Sequence, residues 1–399
     1  MSRKTIAGML SSLCLAALAT FAISAAAQSP PRAPKSGPQI INPGELWPDN
    51  RGQHVQAHGG GIIKYEGLYY WFGEQRGQDV PPGQRAVSCY SSPDLVHWTF
   101  RKNVMTITPA DRPADLPGTG IILERPKVFY NAKTKKFVMY MHLDNMGYRA
   151  AEVGVATSDT VDGDYKLLKH FRPLGQQSRD IGQFIDDDGT AYLIFEDRPN
   201  GWHIAKLSDD YLSIEKDMHL FPEHMEGGAL VHLNGLYYAI GSHLTGWDAN
   251  PNLYATAKSL EGPWSEFKDI APPDTKTYGS QSTMLIKVVG TKSTTVIFMG
   301  DIWRPGTQWD SRYLWMPLEI GDGKLVLPEP RQWTLDIATG EAVINKEAPA
   351  MVLPPPAPRG ARGGGAATAP TDHDGLTHGI GRQVARDHPI TTGAGVRDR

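Results

Sequence analysis

Apolar residues in this chain come in short runs cut by Gly, Asn and Asp, and beyond the first thirty residues no stretch keeps a helical period. The runs come in pairs about turn residues. Residues 61–64 and 68–72 flank Tyr65-Glu66-Gly67, 127–130 and 136–141 flank 131–135, and 183–185 and 191–195 flank 186–190. Residues 229–233 and 236–240 flank Asn234-Gly235, and 283–289 pairs with 294–299. Asn-Gly between apolar runs is a strong two-residue hairpin signal, because both positions must accept positive φ. A second pattern, of the form V-G-V-A-T-S, follows each pair at 86–92, 153–158, 203–208, 254–259 and 313–318. After the first, second and fourth of these comes a turn and an aromatic: Asp94 and Trp98, Asp162 and Tyr165, Glu261 and Trp264. One unit is thus about four strands, and five units recur at roughly 50 to 60 residues. The expectation is an all-β chain folded as a five-bladed β-propeller. A two-sheet sandwich would leave the five-fold recurrence unexplained.

The two ends are different in kind. Arg3 and Lys4 precede an apolar run that closes on Ala25-Ala26-Ala27 before Gln28, the form of a cleaved secretory signal peptide over residues 1–27. A membrane anchor fits less well, since the run is rich in Ala and Ser. A lipoprotein site is disfavoured because Leu13 precedes Cys14. The expected layout is a linker at 28–41, the propeller at 42–343 and a tail at 344–399. The tail runs through Pro354-Pro355-Pro356 and Gly363-Gly364-Gly365. It lacks the apolar surface to offset its ordering entropy and reads as disordered, with no further folded domain. Its His373, His378 and His388 read as sparse solvated side chains. The expected location is secreted or periplasmic, off the membrane after cleavage, and monomeric. Cys89 is then the only cysteine left, so no intrachain disulfide is expected. A formal net charge of −3 leaves no electrostatic footprint for nucleic acid.

Five polar residues open the units: His58, Glu124, Asp180, Glu226 and Gln281. In a propeller the first strand of each blade lines the channel, so these positions converge on one mouth. Any one of them alone reads as a turn cap or backbone partner. Five in phase, three of them carboxylates, are costly to bury together unless a site uses them. Paired carboxylates about a cavity suit glycosidic cleavage, in which a carboxylic acid of raised pKa protonates the leaving oxygen. Glu226, in M-E-G-G-A, is the expected acid. Asp180, beside Arg179, is the expected neighbour that tunes it. Among Trp47, Trp71, Trp247, Trp303, Tyr148 and Tyr278, most read as packing. Trp247 and Tyr148 lie in polar, Gly-containing stretches and are expected to meet a sugar. D-D-D-G at 186–189 reads as a hairpin turn, and neither metal nor cofactor is expected.

At these residues the chain resembles glycoside hydrolase family 43, and within it the exo-β-1,3-galactanase branch, which trims the galactan backbone of arabinogalactan. The resemblance runs over about residues 42–335 and rests on V-Q-A-H-G (55–59), Y-W-F-G-E (70–74), A-V-S-C-Y-S-S-P-D-L-V-H-W (86–98), E-R-P-K-V (124–128), V-G-V-A-T (153–157), P-L-G-Q-Q-S-R-D (173–180), G-W-D-A-N-P-N (246–252) and S-L-E-G-P-W-S (259–265). It implies single-step inversion, with Glu226 as general acid, Asp180 as its pKa modulator and Glu124 as a sugar-holding carboxylate. His58, Glu74, Tyr148, Arg179 and Trp247 are implied to bind the polysaccharide. Inversion also needs a base roughly 6.5–9.5 Å across from the acid. The family's usual Asp is replaced here by His58, and Gln281 matches the galactanase residue assigned to the water. A neutral amide would position that water, act through an unusual tautomer, or cooperate with Glu124. M-E-G-G-A in place of E-A-P-G, and Leu244 in place of a hydroxyl residue, depart from the branch. The alternatives are the same fold acting on arabinofuranosides, xylosides or galactofuranosides, and a non-catalytic glycan-binding propeller. Glu124, Asp180 and Glu226 together disfavour the last.

Overall fold

Turns on Gly, Asn and Asp fold the apolar runs back on themselves, and the product is all β. The computed structural model describes residues 37–357. The expected signal peptide, the linker before Gly37 and the tail beyond Ala357 lie outside the described residues. Among the described residues helix is confined to single turns at Pro173–Gly175, Pro273–Thr275, Lys276–Gly279 and Gln308–Asp310. No helix among the described residues is long and apolar enough to cross a membrane.

After a short strand β1 (Gln39–Ile41) come four antiparallel meanders of four strands each. The first is β2 (His58–Tyr65), β3 (Leu68–Glu74), β4 (Arg85–Ser92) and β5 (Thr99–Ile107). The second is β6 (Ile122–Asn131), β7 (Lys136–Asp144), β8 (Glu152–Ser158) and β9 (Lys166–Phe171). The third is β10 (Ile181–Ile185), β11 (Ala191–Asp197), β12 (Gly201–Leu207) and β13 (Ile214–Phe221), and the fourth is β14 (Met225–Leu233), β15 (Leu236–His243), β16 (Asn252–Ala257) and β17 (Lys268–Asp269). The fifth sheet has three strands, β18 (Gln281–Val289), β19 (Thr294–Ile302) and β20 (Arg312–Pro317). A ribbon, β21 (Glu319–Gly321) with β22 (Lys324–Val326), leads to β23 (Trp333–Asp336) and β24 (Glu341–Ile344). β23 pairs with both β1 and β24, so the two ends of the described chain share a sheet. The Asn-Gly hairpin forms as its residues dictate: Asn234 at φ 52° and Gly235 at φ 77° close the Leu233–Leu236 pair.

The sheets stack face to face. Strands β3, β7 and β11 are buried almost end to end, which is why they read as continuous apolar runs. One core layer joins the first and second sheets through Phe72, Val87, Val128 and Met139, and the next joins second and third through Phe129, Tyr140, Leu193 and Phe195. A third layer joins third and fourth through Ile194, Trp202, Leu230 and Ala239. The largest joins the fourth, fifth and first sheets. Its centre is an aromatic cluster in which Trp71 lies 4.7 Å from Tyr313 and 4.8 Å from Trp315, ring centre to ring centre. The first strands also meet in order, β2 on β6, β6 on β10, β10 on β14, β14 on β18 and β18 on β2. Between β10 and β14 the approach requires glycine, since a Cβ on Gly182 would lie 2.1 Å from the Gly228 carbonyl.

Both expected boundaries move. Residues 39–41, placed in the linker, pair with β23. Residues 344–357, placed in a structureless tail, are tied down by backbone polar groups that find partners in the body. Met351 N–H donates to the Pro330 carbonyl (2.7 Å), and Ala357 N–H to Asp310 Oδ2 (3.0 Å).

Candidate active site at the starts of the first strands

Three of the five first strands carry a polar residue at their start followed by a slip of register. In β2 the pair His58–Glu74 precedes a slip that ends at Gly61, in β6 Glu124–His142 precedes one ending at Lys127, and in β14 Glu226–Ser242 precedes one ending at Ala229. The residue after each is in the left-handed region: Gly59 at φ 56°, Arg125 at φ 53° and Gly227 at φ 64°. Such bulges bend the strand and re-aim the side chain beside them. In β18, Gln281 pairs with Asp301 ahead of a smaller slip. Asp180 immediately precedes β10, and its carbonyl accepts from Glu196 N–H at 3.0 Å. The expected five residues therefore sit above a second polar tier, Glu74, His142, Glu196, Ser242 and Asp301, contributed by the second strands.

Glu226 is 8 % exposed. Its Oε1 accepts from Gln281 Nε2 at 2.9 Å, and Arg198 Nη2 lies 3.9 Å from Oε2. Burial first, then the charges of Asp180 and Glu196, push its carboxyl well above the usual carboxylate range, against the pull of Arg125 and Arg198. The protonated, carboxylic acid form of Glu226 is thereby favoured. Asp180 is held by Arg125 Nη2 at 2.7 Å and by Gly227 N–H at 3.2 Å.

Gln281 is fully engaged. Its Nε2 donates to Glu226 and to Ser242 Oγ (3.1 Å), and its Oε1 accepts from Trp303 Nε1 (3.0 Å) and from Arg125 Nη2. With two donors aimed at it, Oε1 has no room for a proton, so the resting group is an amide and not its imidic tautomer. Glu124 lies to one side. Burial would raise its pKa, but the hydrogen bond and charge of His142, then Arg76 and the Tyr148 hydroxyl, hold it down at about 2. Tyr148 Oη donates to Glu124 Oε1 at 3.0 Å, and His142 bridges Glu124 Oε2 (3.2 Å) and Asp144 Oδ2 (3.1 Å).

Two expected sugar contacts are not at the surface. His58 is wholly buried, 3.1 Å from Asp301 Oδ1 and stacked on the Tyr313 ring, so it supports the site from below. Glu74 is 3 % exposed and is taken up by Arg125 N–H (3.0 Å) and Arg76 Nε (2.8 Å). Arg179, a further expected sugar contact, is engaged within the chain. Its Nη atoms donate to Gln177 Oε1 (2.5 Å) and to the Tyr148 carbonyl (2.9 Å), which braces Tyr148. Trp247 is half-buried against Trp303, with ring centres 5.4 Å apart. Trp47 and Trp71 belong to the aromatic core and Tyr278 packs against it. The Asp186–Thr190 turn closes a hairpin at the far ends of β10 and β11. There Asp186, Asp187 and His232 group together, with Tyr237 Oη on Asp186 (2.7 Å) and Lys287 Nζ on Asp187 (2.5 Å).

Sequence reading misses Arg125, Lys127 and Glu196 and takes Trp303 for packing. Lys127 is fully buried, and its Nζ donates to the carbonyls of Gly59 (2.7 Å) and Gly60 (2.6 Å) and to Thr283 Oγ1 (2.9 Å). Burial and the neighbouring Arg125 bring its pKa down to about 7. The available signal was a charged residue inside an apolar strand, as in E-R-P-K-V and I-F-E-D.

An all-β protein that gathers carboxylates at one end of its sheets, one of them with a raised pKa, has the equipment of a glycoside-cleaving enzyme. Residues 57–299 match the model of glycosyl hydrolases family 43. The chain belongs to that family and is a glycoside hydrolase. It is similar to the exo-β-1,3-galactanase of Phanerochaete chrysosporium solved with galactose, at 37 % identity and a TM-score of 0.70 over 77 % of this chain and 71 % of that one. It is also similar to an exo-β-1,3-galactanase from Clostridium thermocellum, at 35 % identity and a TM-score of 0.69 over 77 % and 68 % of the two chains. A curated relative, the β-D-galactofuranosidase xynD of Aspergillus niger, is 31 % identical over 202 residues, 46 % of this chain. The matched region spans 56 % of that relative's length.

Proposed function

We propose that this chain is a secreted, inverting exo-β-1,3-galactanase, built as a five-bladed β-propeller, that releases galactose from the β-1,3-galactan backbone of arabinogalactan. The observation that carries the reading is the buried Glu226 carboxyl, hydrogen-bonded by a carboxamide, Gln281, in a site where His58 stands in place of the family's Asp. The similarity to galactanases supports the substrate, and the cyclic packing of five first strands supports the propeller. In this reading residues 1–27 are a cleaved export signal, and the secreted or periplasmic enzyme works as a monomer.

Glu226 gives its proton to the glycosidic oxygen, the bond from that oxygen to C1 breaks, and water adds to C1 from the opposite face. The proton that water loses passes to a carboxylate, for which Glu124 is our assignment. Gln281 holds Glu226 in place as an amide, since both its amide hydrogens and its oxygen already have partners. Asp180 tunes the acid, while Tyr148, Trp247 and Trp303 bound the sugar. A second reading, cleavage of galactofuranosides, is favoured by the Aspergillus niger relative. Products from β-1,3-galactan, with anomeric configuration followed by proton NMR, test both. Galactose should form with inversion, and Glu226→Gln should lower kcat by about 10²–10⁴-fold, the usual worth of a general acid. Retention of configuration would sink the mechanism. Galactose released only from furanosides would move the assignment to the second reading.

A further inference from the structure

Glu196 and Arg198 act on Glu226 through their charges, and their geometry points to more. Glu196 is the last residue but one of β11, is 1 % exposed, and leaves Oε2 buried without a hydrogen-bond partner. Its backbone is fixed on both sides, with its N–H donating to the Asp180 carbonyl (3.0 Å) and its carbonyl accepting from Arg179 N–H (3.1 Å). Its Oε1 accepts from Arg198 Nε at 2.6 Å. Arg198 follows the strand, has a side chain 49 % exposed, and points Nη2 at Glu226 Oε2, 3.9 Å away. A buried carboxylate with one oxygen unsatisfied is an unfavourable arrangement for stability alone. It keeps the guanidinium beside the acid but just short of hydrogen-bond range.

We propose that Glu196 and Arg198 form a positioning couple for Glu226, in which Glu196 retains the guanidinium while the acid carries its proton and Arg198 meets the carboxylate once the proton has gone to the leaving oxygen. The proposal rests on the reading of Glu226 as the acid. The charged groups around this carboxyl are Asp180 ahead of β10, Arg125 on β6, and Glu196 and Arg198 at the end of β11. Arg179 faces Glu196 from the segment before β10. The proton held by Glu226 thus lies between two anions and two cations from the second and third sheets. Glu196 favours retention of that proton and Arg198 favours its loss.

The two variants therefore act in opposite directions. Glu196→Gln removes an anion and frees Arg198, so the alkaline limb of kcat/KM on β-1,3-galactobiose should move down by about one pH unit, a tenfold change in proton affinity. Arg198→Met should move the same limb up, with Arg198→Lys between it and the wild type. Loss of rate at every pH with the limb unmoved would show a structural role and overturn the proposal. Infrared difference titration of the Glu226 carboxyl band, assigned with Glu226→Gln, reads the same shifts without turnover. Opposed band shifts in a protein that leaves galactobiose intact would retain the couple and remove the galactanase reading. Should Glu196→Gln fail to fold, the upward shift in Arg198→Met decides alone.

Discussion

The Glu124–His142–Asp144 chain is the clearest case in this molecule of one residue setting the state of another. His142 is 1 % exposed, and burial alone would discharge it. Hydrogen bonds to Asp144 and Glu124, with their charges, raise it instead from 6.5 to about 9. Glu124 is lowered from 4.5 to about 2. The signs follow from linkage. The raised histidine contributes stability in full below about pH 6.5, and this is lost as pH climbs through 9. The lowered carboxylate contributes in full above about pH 4.5, and this is lost as pH falls toward 2. Thermal midpoints followed by circular dichroism should therefore plateau between those limits and decline on both sides. His142→Gln should remove the alkaline decline. It should also lower the plateau by on the order of 10 °C, since breaking a buried pair costs about 3–5 kcal/mol. A variant that keeps the wild-type alkaline slope would show that His142 is not the titrating group.

Among the strands, the bulge places Glu226, the acid of the proposed mechanism. After Glu226 the chain enters the left-handed region at Gly227, where a Cβ would lie 2.8 Å from the Ser282 carbonyl and 3.0 Å from Gln281 Cγ. Gly227→Ala should therefore shift Glu226 against Gln281. We expect kcat/KM to fall by about 10²-fold, the usual cost of a misplacement near 1 Å, while β structure is kept. Activity within a few-fold of wild type would mean that the bulge is not what aims the acid. The same geometry explains what could be read from the sequence. The hairpins were legible because Asn-Gly and Asp-rich turns between apolar runs are local signals, and the upper tier was legible because its members recur in phase. Of the lower tier only Glu74 was legible. His142, Ser242 and Asp301 sit beside register slips, one of which hinges on a non-glycine, Arg125, at positive φ, and Glu196 comes beside Asp180 through the pairing of β10 with β11. His58 was read as a sugar contact because nothing local shows that Tyr313, far along the chain, covers it. Arg125 carries no local sign of its role, because its ion pair with Asp180 is made across sheets.

At the scale of the whole molecule, the end of the described chain is coupled to the mouth of the site. Arg304 is 5 % exposed and follows Trp303, whose Nε1 holds Gln281. Its guanidinium pairs with Asp310 and donates to the carbonyls of Pro354 (2.5 Å) and Pro355 (3.4 Å). Met351 and Leu353 pack on the core layer that joins the fourth, fifth and first sheets, beside Tyr278. The segment 350–357, which composition alone assigns to a structureless tail, therefore braces the Trp303 wall from outside. Ending the chain after Pro349 would strip two acceptors from a buried guanidinium and uncover apolar surface. Unmet buried hydrogen bonds cost about 1–3 kcal/mol each, so the melting midpoint should fall by on the order of 5–10 °C. Ending it after Ala357 keeps every one of these contacts and should leave the midpoint within a degree or two of the full chain. Loosening Trp303 frees the Gln281 oxygen, so the shorter chain should also lose kcat more than it raises KM at temperatures where it remains folded. If the two truncations melted together and turned over alike, the strap would be a passenger, and the rigidity of the mouth would have to come from the sheets alone.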